Sequence, residues 1–232
     1  MEIKKLLAHS SNFTKGRPGG IKFIAIHYTA NNGDTAKGNC NYFSAANRNA
    51  SAHYFVDETS VYQSVEDGDT GWSVGAKNYA HSTCRNPNSI SIEMCSKRDA
   101  KGAYYIEPVV VAKTIELTKI LMAKYNVPVS NVLRHYDITG KNCPEPFVRD
   151  LGKWNAFKNS LTAKVVVKEV DKVEEEDDEM AVVRYNTIKE IPAYAQATVQ
   201  SLITKGAFAD VNKLNLTDDM LRTFVIMERA NK

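Results

Sequence analysis

Glu174-Glu-Glu-Asp-Asp-Glu179 is a run of six consecutive acids, and no packed element holds six adjacent like charges without strong mutual repulsion. The chain is therefore read as two parts joined by an extended, solvated segment. Charge divides it in the same way. Residues 1–163 carry 20 basic against 14 acidic side chains, residues 164–179 carry 3 against 8, and residues 180–232 carry 7 against 5. The overall net charge of +3 conceals a basic first part of +6. We expect a domain at 1–163, an acidic linker at 164–179 and a small module at 180–232. The alternating valines between 165 and 173 leave an edge strand as the alternative for the linker.

With 43% apolar and 25% charged residues among 232, a wholly disordered or collagen-like chain is excluded. No stretch approaches the roughly 20 apolar residues of a membrane span. Behind Lys4 and Lys5 stands only the short apolar run Leu6-Leu-Ala8, so a secretory signal peptide is not expected and the chain is expected to fold in the cytoplasm. Cys40, Cys84, Cys95 and Cys143 form no CxxC pair. In a reducing compartment that points to free thiols or a metal ligand.

Strands and helices alternate before the linker. Ile21–Ile26 is short, apolar and rich in β-branched and aromatic residues, as a buried strand is. A helix is expected over Thr35–Ala46. Ala52–Val56 and Val61–Val65 flank the turn Asp57-Glu-Thr-Ser60 and read as a hairpin. Ser89–Cys95 is a strand with Ile90, Ile92 and Met94 on one face and Ser91, Glu93 and Cys95 on the other. Pro108–Tyr125 is a long helix opened by proline, with Val109, Ala112, Ile115 and Ile120 among its apolar positions. A strand near Asn131–Arg134 and a helix near Phe147–Leu161 follow. The expected fold is α/β, a central mixed sheet flanked by helices, with a small helical C-terminal module.

Chemistry concentrates at the strand ends. His27 ends the first buried strand, His135 ends the strand after the long helix, and Cys143 lies eight residues further on, in a loop with Thr139, Gly140 and Lys141. Two imidazoles and a thiolate suit Zn²⁺, and three protein ligands leave the fourth position of a catalytic site open. A copper electron-transfer centre would need a weak axial methionine, and none stands near Cys143. Taken singly, each residue has an ordinary reading: hydrogen-bonded histidines, a small buried thiol, a salt-bridged Glu93, a solvated Lys141. His53 is expected to hydrogen-bond within the sheet. His9 and His81 are expected in loops, with His81 in a segment after Trp72 that could line a substrate groove.

Four ordered motifs carry a resemblance. The chain reads Ile24-Ala-Ile-His27-Tyr-Thr-Ala30, then Ser51-Ala-His-Tyr-Phe-Val56, Asn88-Ser-Ile-Ser-Ile-Glu93-Met-Cys95 and Arg134-His-Tyr-Asp-Ile-Thr-Gly-Lys-Asn-Cys143-Pro144. In this order, from about residue 3 to 161, the sequence resembles the type-2 N-acetylmuramoyl-L-alanine amidases, a family that includes many phage endolysins and the animal peptidoglycan recognition proteins. The resemblance implies zinc-dependent cleavage of the amide between the lactyl group of N-acetylmuramic acid and L-alanine in bacterial peptidoglycan. It implies His27, His135 and Cys143 as zinc ligands, Glu93 as general base and Lys141 as a stabiliser of the tetrahedral intermediate. Some phage members use a tyrosine directly before the histidine corresponding to His53; Ala52 stands there, which shifts the burden to Glu93. Ser73 follows Trp72 where some relatives carry a histidine. A non-catalytic recognition module is the alternative, against which Cys143 and Glu93 both speak. Peptidoglycan is the expected partner, with no nucleic acid and no membrane. The resemblance further implies a phage or prophage endolysin that waits in the host cytoplasm before acting on the wall.

After the linker, Ile191–Gly206 reads as a helix opened by Pro192 and closed by Gly206, and Thr217 is a natural N-cap for a second. About 50 residues bury only a thin core, so a partner is expected. The module resembles an S-layer-homology-like helical repeat, which implies binding to a secondary wall polymer; self-association stays open beside it. Glu174–Glu176 also allow a purine-rich ribosome-binding sequence three codons before Met180, so an internally initiated C-terminal fragment is a further expectation, beside that of a plain acidic linker.

Overall fold

A computed structural model describes residues 1–162, 184–208, 210–217 and 220–225. The expected linker, its alternative edge strand and Met180 lie outside the described residues. The chain divides into two compact units, Met1–Val166 and Val167–Lys232.

In chain order the first unit contains strands β1 (Lys4–Lys5), β2 (Phe13–Thr14) and β3 (Phe23–Tyr28), helix α1 (Ala36–Ser44), then β4 (Tyr54–Val56), β5 (Val61–Gln63), β6 (Thr70–Gly71), β7 (Ser89–Met94), β8 (Lys97–Arg98) and β9 (Tyr104–Tyr105). Helix α2 (Pro108–Tyr125), β10 (Val132–Arg134) and helices α3 (His135–Thr139), α4 (Glu145–Arg149) and α5 (Leu151–Thr162) complete it. Six strands form one mixed sheet in the order β1-β5-β4-β7-β3-β10. β4 and β5 make the expected antiparallel hairpin, whereas β3 runs parallel to both β7 and β10. The expected α/β architecture with a central mixed sheet is the one observed.

Alternation along the strands decides the two faces. Ile24, Ile26, Tyr54, Val56, Ile90, Ile92 and Met94 point to one side and pack against α2 and α5 through Val110, Leu117, Leu121, Phe157 and Leu161. At roughly 25 cal/mol per Å² of apolar surface removed from water, this layer is the main source of the unit's stability. The opposite face carries Ala25, His27, Phe55, Ser91 and Glu93, with α1 covering its β4 end through Ala36, Cys40 and Phe55. Thr35 caps α1, its side chain accepting from Gly38 N, and Asp57 in the hairpin turn accepts from Ala36 N at 2.7 Å.

Two helical expectations need correction. On α2 the buried face is Val110, Thr114, Leu117, Thr118 and Leu121, while Val109 and Ile120 are exposed. Thr114 and Thr118 hide their hydroxyls by donating to the carbonyls of Val110 and Thr114, at 2.8 and 2.6 Å, so they pack as small apolar residues. The single helix expected over 147–161 is two. Asp150 leaves helical conformation at φ −126°, ψ 95°, and its carboxylate accepts from Lys153 N in the first turn of α5.

The second unit has helix α6 (Ala193–Thr204), preceded by Pro192 and followed by Gly206 at φ +71°. A bridge joins Tyr185 to Leu216, and residues 220–225 are helical. Thr217 Oγ1 accepts from Met220 N at 3.3 Å, the expected cap. Ile191, Ala195, Val199, Leu214, Leu216, Leu221 and Val225 form its core.

Candidate metal and catalytic site

Register builds the site. In parallel pairing β3 sets His27 directly beside Glu93 on β7, so both project from the same face of the sheet. β10 ends at Arg134, and the chain turns at once into α3, which makes His135 the first residue of a short helix rather than the last of a strand. Arg134 secures that turn: its N–H donates to Asp137 Oδ2 at 2.9 Å, its guanidinium pairs with the same carboxylate, and Nη1 donates to Phe147 O. Gly140, at φ +81°, closes α3 in a conformation that costs other residues strain. The chain then doubles back, Tyr136 N donating to Cys143 O at 2.8 Å. Sequence positions 27, 135 and 143 thereby converge.

His27, His135 and Cys143 are all buried, and one potential ligand atom from each lies within 4.8 Å of the others. Cys143 Sγ is 3.8 Å from His27 Nδ1, and the imidazole centroids are 4.6 Å apart. Burial, reinforced by His135 and Lys141, holds His27 well below the usual imidazole range, and burial beside Lys141 brings His135 down to about 4. Both rings are neutral at pH 7, the form that donates a lone pair. Burial and the nearby Glu93 push the Cys143 thiol up to about 12, against the opposing influence of the Tyr28 N–H and Lys141.

Glu93 Oε1 lies 3.7 Å from His27 Nδ1. Burial raises its carboxyl to about 8, Lys141 opposing and Asp34 adding to the rise. With a neutral imidazole facing a carboxyl held high, this contact is not an ion pair at neutral pH. Among the described residues, four buried side-chain polar atoms have no hydrogen-bond partner, and three of them are His27 Nε2, His135 Nδ1 and Glu93 Oε2. Buried polar groups are satisfied in the great majority of cases, so their concentration at one place marks a site built for something other than the fold.

The cavity over these groups has a volume of about 260 Å³ and is also lined by Thr29, Ala52, Trp72, Ser73 and Lys141. It opens on one side into a space of about 650 Å³ bounded by Asn49, Trp72, Asn86 and Lys141, and on the other into about 470 Å³ bounded by Asp34, Asn39, Tyr42 and Glu93. Residues shared between neighbours join the three into a groove across the sheet's edge.

His53 hydrogen-bonds within the sheet, with Nδ1 3.0 Å from Ser91 Oγ and Nε2 2.7 Å from Arg17 Nη2; burial takes it down to about 4. His81 turns Nδ1 into its own loop, accepting from Thr83 N and Cys84 N, and packs its ring on Phe23. His9 caps a short turn through Ser11 N. Cys95 is buried with Sγ 3.6 Å from Asn39 Nδ2. Asp34 was not expected at the site. It accepts from Thr29 Oγ1, Asn39 Nδ2 and Ser96 N, two contacts within its own loop and helix and one to the segment after β7.

Residues 15–146 match the family model described as N-acetylmuramoyl-L-alanine amidase. The chain is 34% identical over 169 residues to the N-acetylmuramoyl-L-alanine amidase CwlL of Bacillus licheniformis, covering 67% of this chain and 46% of that protein. It spans about half the length of the curated relatives it matches first. The solved structure of PlyL superposes with a TM-score of 0.59 at 28% identity, covering 72% of this chain and all of that one. A mutant endolysin from Bacillus subtilis gives 0.55 at 30% identity over 69% of this chain and 99% of its own. A buried two-histidine, one-cysteine cluster at the end of a mixed sheet, in a chain whose residues 15–146 carry the family's match, places this chain in the type-2 N-acetylmuramoyl-L-alanine amidase family.

Proposed function

We propose that the chain is a zinc-dependent endolysin that hydrolyses the amide joining the lactyl group of N-acetylmuramic acid to L-alanine in bacterial peptidoglycan. The observation that carries the reading is the convergence of His27, His135 and Cys143 around buried imidazole nitrogens with no partner in the protein. Two neutral imidazoles and a thiol that can ionise on ligation match the donor preferences of Zn²⁺, and these three residues would hold it. When bound, Zn²⁺ supplies Lewis acidity, polarising a carbonyl and bringing the pKa of water down to about 7.

The chain's own residues supply the rest. Glu93 lines the cavity and has one oxygen without a partner; its carboxylate takes the proton of water as the water oxygen adds to the carbonyl carbon. It then delivers that proton to the amide nitrogen as the C–N bond breaks, leaving a lactyl carboxylate and the amino group of L-alanine. Lys141 lines the same cavity, and its ammonium faces the oxygen on which negative charge develops, a contribution of about 3 kcal/mol where comparable donors have been removed. Ala52 offers no hydroxyl for this work, so Glu93 is the proton carrier.

By the same reading residues 1–163 hold the chemistry and act on the wall after release from the host cytoplasm, while the 180–232 module binds a secondary wall polymer or a second copy of itself. The test is release of dye-labelled fragments from purified walls, with and without a chelator, with zinc measured in the protein and the new termini identified by mass spectrometry. Fragments ending in free L-alanine amines, lost on chelation and restored by zinc, are expected. Wall binding with no release in either condition would replace the hydrolase by a recognition module.

A further inference from the structure

Ala30 adopts φ +55°, the left-handed region that a residue with a Cβ disfavours roughly tenfold. It is not in a remote turn: it lines the catalytic cavity beside His27 and Glu93. Backbone strain at such a place persists only where the surroundings hold it; Thr29 N donates to Met94 O and Ser96 Oγ to Asn31 O on either side, and the side chain that bonds Ala30 itself is Tyr104 on β9. Tyr104 Oη donates to Ala30 O at 2.6 Å and accepts from Arg98 Nη2. Its ring meets Tyr28 edge-on at 5.3 Å between centroids. Tyr104 therefore grips the residues on either side of Thr29. The β8–β9 hairpin is itself tied to the same loop, Arg98 N donating to Asn32 Oδ1 at 2.8 Å.

Thr29 is one of four residues, with Phe43, Phe55 and Glu93, that line both the catalytic cavity and the space beyond Glu93. That space is lined by Glu93 and not by Lys141, whereas the opposite space is lined by Lys141 and not by Glu93. In an amide hydrolysis where Glu93 returns the proton to the amine and Lys141 faces the carbonyl oxygen, the Glu93 side receives the leaving peptide and the Lys141 side receives the acyl portion with its sugar. The wall formed by Thr29 and Ala30 then belongs to the peptide side.

We propose that Tyr104 is a positioning residue for the reaction: its hydroxyl holds Ala30 in the left-handed conformation and so keeps the Thr29–Ala30 wall shaped to seat the peptide side of the substrate. The inference rests on the amidase reading above for its catalytic consequence, and on the loop geometry alone for the positioning.

The test uses the full-length chain as Tyr104→Phe, Ala30→Gly and the double variant. Amide hydrogen exchange over residues 29–34 is measured by mass spectrometry, and KM and kcat on a wall fragment carrying both sugar and peptide. Tyr104→Phe keeps the ring and loses the donor; it is expected to raise exchange in 29–34 roughly tenfold and KM by a similar factor, with a smaller effect on kcat. Glycine takes φ +55° without a Cβ penalty, so the double variant is expected to return to within about twofold of Ala30→Gly alone. Unchanged exchange and KM in Tyr104→Phe would overturn the proposal. So would a double variant as impaired as Tyr104→Phe, because a merely structural role for the tyrosine has no reason to respond to Ala30. The exchange readout needs no turnover, so a failure of the amidase reading, seen as no product from the unaltered chain, is separable from a failure of this one.

Discussion

Glu93→Gln separates the requirements of the reaction from those of the fold. The substitution keeps the shape of a side chain that sits beside His27 with one oxygen unpartnered, and it removes the ionisable proton. Burial raises the carboxyl from an ordinary 4.5 to about 8, so in the metal-free protein the folded state keeps a proton that the unfolded chain has released at pH 7. Each pH unit between 4.5 and neutrality is worth about 1.4 kcal/mol, which makes the acid a liability of about 3 kcal/mol to the metal-free fold at pH 7. The sign follows from the folded state holding more protons: stability from this group is fully present below pH 4.5, falls as pH rises toward 8, and is level above it. Glutamine has no such dependence. Metal-free Glu93→Gln is therefore expected to match the unaltered protein near pH 4.5, to exceed it by about 3 kcal/mol at pH 7 and by about 4 kcal/mol at pH 8, in urea unfolding followed by fluorescence. On the zinc-loaded protein the same substitution is expected to lower kcat by about 10² to 10⁴, with zinc content unchanged. A kcat within tenfold of the original at full zinc occupancy would refute the proton-carrier role. A stability difference that does not open between pH 4.5 and 8 would refute the electrostatic argument.

Cys143→Ser is expected to lose bound zinc and wall hydrolysis together while the sheet stays folded, checked by metal analysis and circular dichroism; retained zinc would remove Cys143 from the ligand set. Chelation of the unaltered protein is expected to lower its thermal midpoint, because an ion held only by the folded state stabilises it. Asp67 accepts from Tyr54 Oη, Gln63 Nε2, Lys124 Nζ and Tyr125 Oη, so Asp67→Ala leaves buried donors unpaired and is expected to cost about 3 kcal/mol in urea unfolding; a loss under about 1 kcal/mol would show that water replaces the carboxylate. Removing residues 180–232 is expected to abolish wall pull-down if the module binds polymer and to change the sedimentation coefficient if it self-associates; a C-terminally tagged gene giving one band would dismiss the fragment from Met180.

Much of the site was legible because its residues lie next to apolar strands whose patterns are unmistakable. His27 follows Ile24-Ala-Ile26, Glu93 alternates with Ile92 and Met94, and Cys143 closes a motif that begins at Arg134. What escaped was decided partly by partners distant in the chain and partly by local capping. The apolar count on α2 drew attention to Val109 and Ile120, but the sheet selects the Val110, Leu117 and Leu121 face and tolerates two threonines that satisfy their own hydroxyls. Asp150 splits the last helix because its carboxylate caps the next turn, a role no apolar period encodes. Asp34 reaches the groove, and Tyr104 the backbone of Ala30 that lines it, only through the folding of the loop after β3 and the β8–β9 hairpin.

Residue order alone pointed to the family, the candidate donors His27, His135 and Cys143, the general-base candidate Glu93 and the separation of a basic first part from a small second one, because those features depend on side-chain chemistry and local pattern. Tertiary structure decided which atoms meet. Parallel register set His27 beside Glu93, the turn into α3 and the return at Gly140 brought Cys143 within 3.8 Å of His27, and burial then neutralised the imidazoles and lifted the carboxyl. Proton affinity and strain, at Glu93 and at Ala30, arise from the desolvation and the long-range contacts that only packing creates.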